Sequence, residues 1–248
     1  MLILLPPSET KRDGGADGTR LDYRALSFPA LTSRRRAAVE ALRVLARDRE
    51  ATMAALKLGA GQAGEVARNR AILRSPVLPA IDRYDGVLYE ALDAASLTSA
   101  QRAFAGRHVA IASAAFGLTG ALDPIPPYRL SHDSRLPGLS LARHWGAAVT
   151  EELARTPGLL LDLRSEAYTR LGPLPPRADA FYVRVVADDG TGRSRPLNHF
   201  NKAGKGAFLR AVLEAGIDHP DADALLAWAS GAGVRLEPGA AGELDLVV

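Results

Sequence analysis

Three short apolar runs, Leu2 to Leu5, His108 to Ser113 and Leu159 to Leu163, do most to restrict the fold. They are too short for helices and carry almost no polar residues, which is the pattern of strands buried on both faces of a sheet. Segments with helical spacing lie between them. Ser33 to Leu58 is the longest, with Val39, Leu42, Leu45, Met53 and Leu56 repeating at three, four or multiples of these. Ala91 to Phe104 reads as a helix whose second part starts from Thr98 as its N-cap, and Leu139 to Leu153 places Leu141, Trp145, Val149 and Leu153 on one stripe. Phe181 to Ala187 alternates as a strand, the turn DDGTGR follows, and Pro196 to Phe200 is expected to return antiparallel to it. Helices over Ala207 to Ala215 and around Trp228, then a strand over Glu243 to Val248, complete the chain. Interleaved strands and helices with late antiparallel pairing specify a mixed α/β (α+β) sheet wrapped by helices. No linker divides the 248 residues, so residues 1–248 are expected to form a single domain that buries roughly three quarters of its extended surface.

Several chemistries are excluded. The chain has no cysteine, which removes disulfides, thiolate nucleophiles and thiolate metal sites together. Its five histidines show no HxxxH or HExxH spacing, so neither a metal nor a cofactor is expected, although a His/carboxylate site assembled in three dimensions stays open. No apolar run approaches the ~18 residues that cross a bilayer. Met1 to Leu5 has no basic lead-in and meets Pro6-Pro7, so it reads as a first strand and not a signal peptide, and a cytoplasmic location without membrane contact is expected.

Chemistry-bearing residues concentrate where strands end. Directly after the first strand, PPSETK supplies a hydroxyl, a carboxylate and an amine in Ser8, Glu9 and Lys11, at the strand end where α/β proteins tend to bind ligands. A helix cap is the alternative reading of these residues. After the central strand, Asp123-Pro124-Ile125-Pro126-Pro127-Tyr128-Arg129 sets a carboxylate, a phenol and a guanidinium on a ribbon that three prolines hold extended. Asp162 and Arg164 share a face at the end of Leu159 to Leu163, where they could pair or could hold an anion between Arg164 and Ser165. Asn198, His199, Asn201, Lys202, Lys205 and Gly206 lead into a helix, and two lysines at a glycine-rich helix start make an anion cradle without Walker spacing. The polar, glycine-rich stretch from Arg12 to Ser27 reads as a mobile loop and a candidate lid.

These blocks carry a resemblance. LILLPPSETK, RYDGVLYEALD (Arg83 to Asp93), DPIPPYRL, LARHWG (Leu141 to Gly146), LDLRSEAY (Leu161 to Tyr168) and NHFNKAGKG (Asn198 to Gly206) resemble, in family order, the YaaA family of bacterial peroxide-stress proteins. The resemblance covers most of the chain and implies that family's compact single-domain fold. It also implies protection from peroxide through limiting free iron and shielding DNA, and it brings Arg83, Tyr84 and Tyr89 among the candidate site residues. The chain departs from the family's usual YG(L/V)xRPLD by placing Gly120 at the arginine.

Charge is uneven. Thr32 to Ser75 holds ten Lys/Arg against four Asp/Glu, and Gly192 to Leu213 holds five basic residues and no acid. Within the first tract Gly59, Gly61 and Gly64 match GxGxxG, but they follow a helix where a dinucleotide fingerprint needs a strand. Residues 45–74 could instead form a helix-hairpin-helix, whose glycine turn offers backbone N–H groups to a nucleic-acid phosphate, with Lys57, Arg68 and Arg70 adding charge. The alternative is a plain glycine cap between two packed helices. Two functions therefore stand. One is a stress protein that binds double-stranded or branched DNA. The other is an enzyme on a nucleotide, nucleobase or related anionic small molecule, with Glu9, Asp123 or Asp162 as base or nucleophile and Arg83, Arg129, Arg164, Lys202 and Lys205 as charge stabilisers.

Overall fold

A computed structural model describes residues 1–188, 194–196 and 200–248. The strands are β1 (Leu2–Leu5), β2 (Leu78–Pro79), β3 (Val109–Ser113), β4 (Gly117–Gly120), β5 (Pro124–Ile125), β6 (Leu160–Asp162), β7 (Ala180–Asp188), β8 (Ser194–Pro196), β9 (Leu236–Pro238) and β10 (Glu243–Val247). The three apolar runs become neighbours: Ile3 of β1 lies opposite Val109 on one side and Leu161 on the other, both in parallel register. Every residue of β1, β3 and β6 is buried, as strands covered on both faces must be. The main sheet runs β4-β3-β1-β6-β7-β10-β9, with β8 paired to β7. From β3 to β10 the pairs are parallel, and β4, β8 and β9 add antiparallel strands. β2 and β5 form a separate two-stranded ribbon. The fold is therefore a mixed α/β domain, in agreement with the sequence reading.

Differences from that reading have local causes. Ser33 to Leu58 is two helices, Thr32–Leu45 and Arg49–Ala55. Asp48 caps the second by accepting from the Ala51 N–H at 3.0 Å, while Arg70 donates to the carbonyls of Ala46 and Arg47, so the break leaves those groups satisfied. Ala91 to Phe104 is likewise divided. Val87–Leu92 ends at Asp93 in the left-handed region, and Ser99–His108 begins after Thr98, which forms the expected N-cap together with Gln101. The partner of β7 is Ser194–Pro196, because Phe200 already opens the helix Phe200–Ala215. Asn198 and His199 lie outside the described residues.

The topology locates a crevice. From β1 the chain moves to β3 on one side, and from there it returns to β6 on the other before continuing to β7. Connections leaving β1 and β6 thus diverge, and their carboxyl ends form a switch point of the kind where open α/β sheets bind ligands. Helices Val87–Leu92 and Phe200–Ala215 pack closely beside it. Gly206 allows this approach, since a Cβ there would collide with the Leu88 carbonyl oxygen. Leu141, Trp145, Val149 and Leu153 are all buried on the inner face of Leu141–Arg155, and the Trp145 indole donates to the Ala114 carbonyl at 2.9 Å. No helix among the described residues is long and apolar enough to cross a membrane.

Candidate functional site

A cavity of about 530 Å³ occupies the switch point. Five segments line it: Pro6 to Thr10 after β1, Asp85 to Tyr89 at the start of Val87–Leu92, Ser131 and His132 beyond the proline ribbon, Leu163, Ser165 and Tyr168 after β6, and Asn201, Lys202 and Lys205 from Phe200–Ala215. Four stretches singled out in the sequence thus meet at one place.

One end of the cavity is cationic. Lys205 is 3% exposed, and its Nζ donates to the Arg164 carbonyl at 3.3 Å and lies 5.3 Å from the centre of the Tyr182 ring. No carboxylate is within ion-pair distance of it among the described residues. The nearest acid by sequence reasoning, Asp162, is committed elsewhere: Arg164 Nε donates to its Oδ1 at 2.8 Å and Nη2 to its Oδ2 at 2.6 Å, with both side chains buried. Burial pulls the Lys205 ammonium down to about 8. Lys202 lies on the same helix and is exposed.

The other end is acidic and aromatic. Glu9 Oε2 accepts from Arg129 at 2.6 Å, and Glu9 Oε1 is 3.5 Å from the Ser131 hydroxyl. Ser131 Oγ in turn lies 3.3 Å from His132 Nδ1, and the His132 ring is 5.4 Å from that of Tyr168, tilted by 58°. Behind Glu9, Lys11 is buried with its Nζ on the carbonyls of Ser8 and Glu9 and 4.1 Å from the centre of the Tyr128 ring. Burial, reinforced by Arg129, lowers its ammonium to about 7. The Tyr128 hydroxyl joins those of Tyr84 (2.8 Å) and Ser113 (2.7 Å), and burial raises both phenols well above their ordinary value.

Several sequence candidates stand away from the cavity wall. Arg83 is fully buried and donates to the carbonyls of Ile125, Arg12, Gly14 and Pro76, so its guanidinium pins three segments together. Asp123 accepts from Ser27 N–H and Oγ and from Gly120 N–H, and burial raises its pKa. At Gly120 a Cβ would lie 2.6 Å from Ser27 Oγ, so the glycine makes room for this contact. A guanidinium nevertheless sits beside that strand, because Arg35 donates to the carbonyls of Phe116, Leu118 and Ser27. No residue from Arg12 to Ser27 lines the cavity, and the segment is tied instead to Arg83 and Val77.

Gly59, Gly61 and Gly64 are exposed between Arg49–Ala55 and Gly64–Ala71, with a short 3-10 turn at Ala60–Gln62. Lys57 pairs with Asp133 at 2.6 Å, Arg68 with Asp13 and Glu65, and Arg70 is engaged by carbonyls. Ser131, His132, Tyr168 and Asp85 are cavity residues that the sequence did not single out, whereas Asn201 belongs to the stretch named before the last long helix. Asp85 and Tyr168 sit inside quoted blocks, and His132 is two positions beyond one, so the blocks are the available signal.

Among the described residues no group of three His, Asp or Glu is gathered as a metal site. The model of a family described as peroxide stress protein YaaA matches residues 1–232. A UPF0246 protein of Corynebacterium glutamicum is 40% identical over 242 residues, covering 96% of this chain and 95% of its own length. One from Streptomyces coelicolor is 40% identical over 220 residues, covering 87% and 84%. With the family model spanning nearly the whole sequence and these relatives matching over most of their length, the chain belongs to the YaaA peroxide-stress protein family.

Proposed function

We propose that the chain is an enzyme acting on an anionic small molecule at the carboxyl ends of β1 and β6, and that this chemistry is its part in the response to peroxide. The observation that carries this reading is Lys205, a buried amine on the wall of the cavity with a backbone carbonyl as its hydrogen-bond partner. Asp162 and Glu166 favour its charge only from beyond ion-pair distance and do not fully offset the burial, so the cation is held at a net cost that an anionic ligand would reduce. Lys205 and Lys202 would hold the anion, the Ser165 hydroxyl would add a hydrogen bond, and Glu9, oriented by Arg129, would accept a proton. The cavity volume also falls in the ~300–1,000 Å³ range of small-molecule sites. The test is thermal denaturation against a panel of phosphates, nucleotides and dicarboxylates. A ligand at about a hundred times its Kd should raise the wild-type Tm by about 5–10 °C and the Lys205→Met variant by much less. If no anion in the panel shifts the wild type, the reading fails.

A second reading is favoured by the exposed backbone of Gly59 to Gly64 between two helices, a turn that could meet a duplex phosphate as a helix-hairpin-helix does. Fluorescence anisotropy with labelled duplex and four-way-junction DNA tests it. Binding that weakens steeply with salt, and whose slope falls on Lys57→Glu and Arg68→Glu, supports it. Absence of binding at low salt removes it.

A further inference from the structure

The cavity has two chemically different ends, and their separation narrows the ligand. Resting on the anion reading above, we infer that the substrate is a nucleotide-like molecule: a planar nitrogen heterocycle at the Glu9–Ser131–His132–Tyr168 end, joined through a sugar-sized spacer to a phosphate at the Lys202–Lys205 end.

Four observations support this assignment. First, a bare phosphate would leave most of a cavity of about 530 Å³ unfilled. Second, much of the remaining wall is apolar or aromatic, from Pro6, Pro7, Leu88 and Leu163 to Tyr89 and Tyr168, which suits a ring more than a second charged group. Third, the ring end carries hydrogen-bonding groups with capacity to spare. Glu9 commits Oε2 to Arg129, but Oε1 has only a long contact to Ser131, so the carboxylate retains acceptor capacity for a ring N–H or exocyclic amine. His132 Nδ1 is engaged by Ser131, and its Nε2 has no protein partner among the described residues. Fourth, one short segment joins the two ends. Lys205 Nζ rests on the Arg164 carbonyl, Ser165 precedes the following turn, and Tyr168 N–H returns to the Ser165 carbonyl at 2.8 Å. The backbone positions that carry the lysine contact and the tyrosine, Arg164 and Tyr168, are therefore about one helical turn apart, ~5 Å along the axis, a spacing on the order of one pentose.

The cation end contributes affinity for any phosphate, while the ring end decides which phosphate compound is kept. The discriminating comparison is thus between a nucleotide and the same sugar phosphate without its base. Calorimetric titration of AMP, GMP, CMP, UMP and ribose 5-phosphate into the full chain, and into Tyr168→Leu, Glu9→Gln and Lys205→Met, makes that comparison. At least one nucleotide should bind about tenfold or more tightly than ribose 5-phosphate, the increment expected for one stacked and hydrogen-bonded base. Tyr168→Leu and Glu9→Gln should each reduce that ratio while leaving ribose 5-phosphate affinity in place, and Lys205→Met should weaken both ligands together. Glu9 is largely exposed, so its variant keeps the test decisive should Tyr168→Leu fail to fold. Equal binding of ribose 5-phosphate and every nucleotide, or a ratio that survives both ring-end substitutions, overturns the nucleotide assignment and leaves the anion reading standing. Failure of all five probes to bind overturns both.

Discussion

Replacing Lys205 by methionine should make the protein more stable, with a gain that depends on pH in a defined way. The ammonium is buried with no carboxylate in ion-pair contact among the described residues, and burial, only partly offset by Asp162 and Glu166, lowers it from its ordinary 10.5 to about 8. Below about pH 8 the folded protein carries a cation that it would hold more easily when unfolded, so the full cost is present there. Between about 8 and 10.5 the unfolded chain keeps the proton that the folded chain has released, and wild-type stability climbs with pH. Above 10.5 both states are neutral and the cost is gone. At ~1.4 kcal/mol per pH unit the cost is about 3 kcal/mol. Methionine keeps the length and removes the charge, so urea unfolding at pH 6.5 should show Lys205→Met more stable by up to about 3 kcal/mol, with the difference shrinking from pH 8 upward. Shared titrations cancel in this difference. A variant that is less stable at pH 6.5, or a difference flat across pH 6.5 to 10, would refute the claim that Lys205 is a buried cation held at net cost. A residue that destabilises its own fold is what a ligand site requires and a structural role does not.

Other outcomes follow from the same packing. Asp162→Asn leaves the Arg164 guanidinium buried without its carboxylate and should cost about 3–5 kcal/mol in urea unfolding, whereas the double change Asp162→Leu with Arg164→Met should recover most of it. Gly206→Ala drives a methyl group into the Leu88 carbonyl and should lower stability by about 1–3 kcal/mol, read as a Tm several degrees lower. Trp145→Ala, which empties a fully buried site and frees the Ala114 carbonyl, should cost about 3–5 kcal/mol in the same melts.

How far the sequence discloses this molecule depends on whether a feature is local. The buried strands are legible because a strand covered on both faces can be built from few residue types, and Leu2–Leu5 and Val109–Ser113 use little else. The Leu141–Trp145–Val149–Leu153 stripe is legible for the same reason, since a period of about 3.6 leaves no other face to bury. The helix breaks at Asp48 and Asp93 are not, because each is settled by partners or backbone geometry supplied from outside the periodic pattern. The site divides in a similar way. Glu9, Ser165, Lys202 and Lys205 follow strand ends or open a helix, and topology brings those positions to one rim. Arg83 and Asp123 have the same residue chemistry but are used up by backbone groups, Arg83 by four carbonyls and Asp123 by the Ser27 and Gly120 amides. Composition does not separate a guanidinium that faces an anion from one that ties loops together. His132 escaped notice because its role depends on Ser131 and Tyr168, and Tyr168 reaches it from a different strand end.

The most direct test of the central claim is calorimetric titration of inorganic pyrophosphate, as a generic phosphoanion, into the wild type and Lys205→Met at pH 7 and low salt. The cavity account predicts saturable one-to-one binding that Lys205→Met weakens at least about tenfold and that Arg70→Glu, in the last turn of Gly64–Ala71, leaves unchanged. Equal binding by wild type and Lys205→Met, or loss of binding on Arg70→Glu alone, would contradict it.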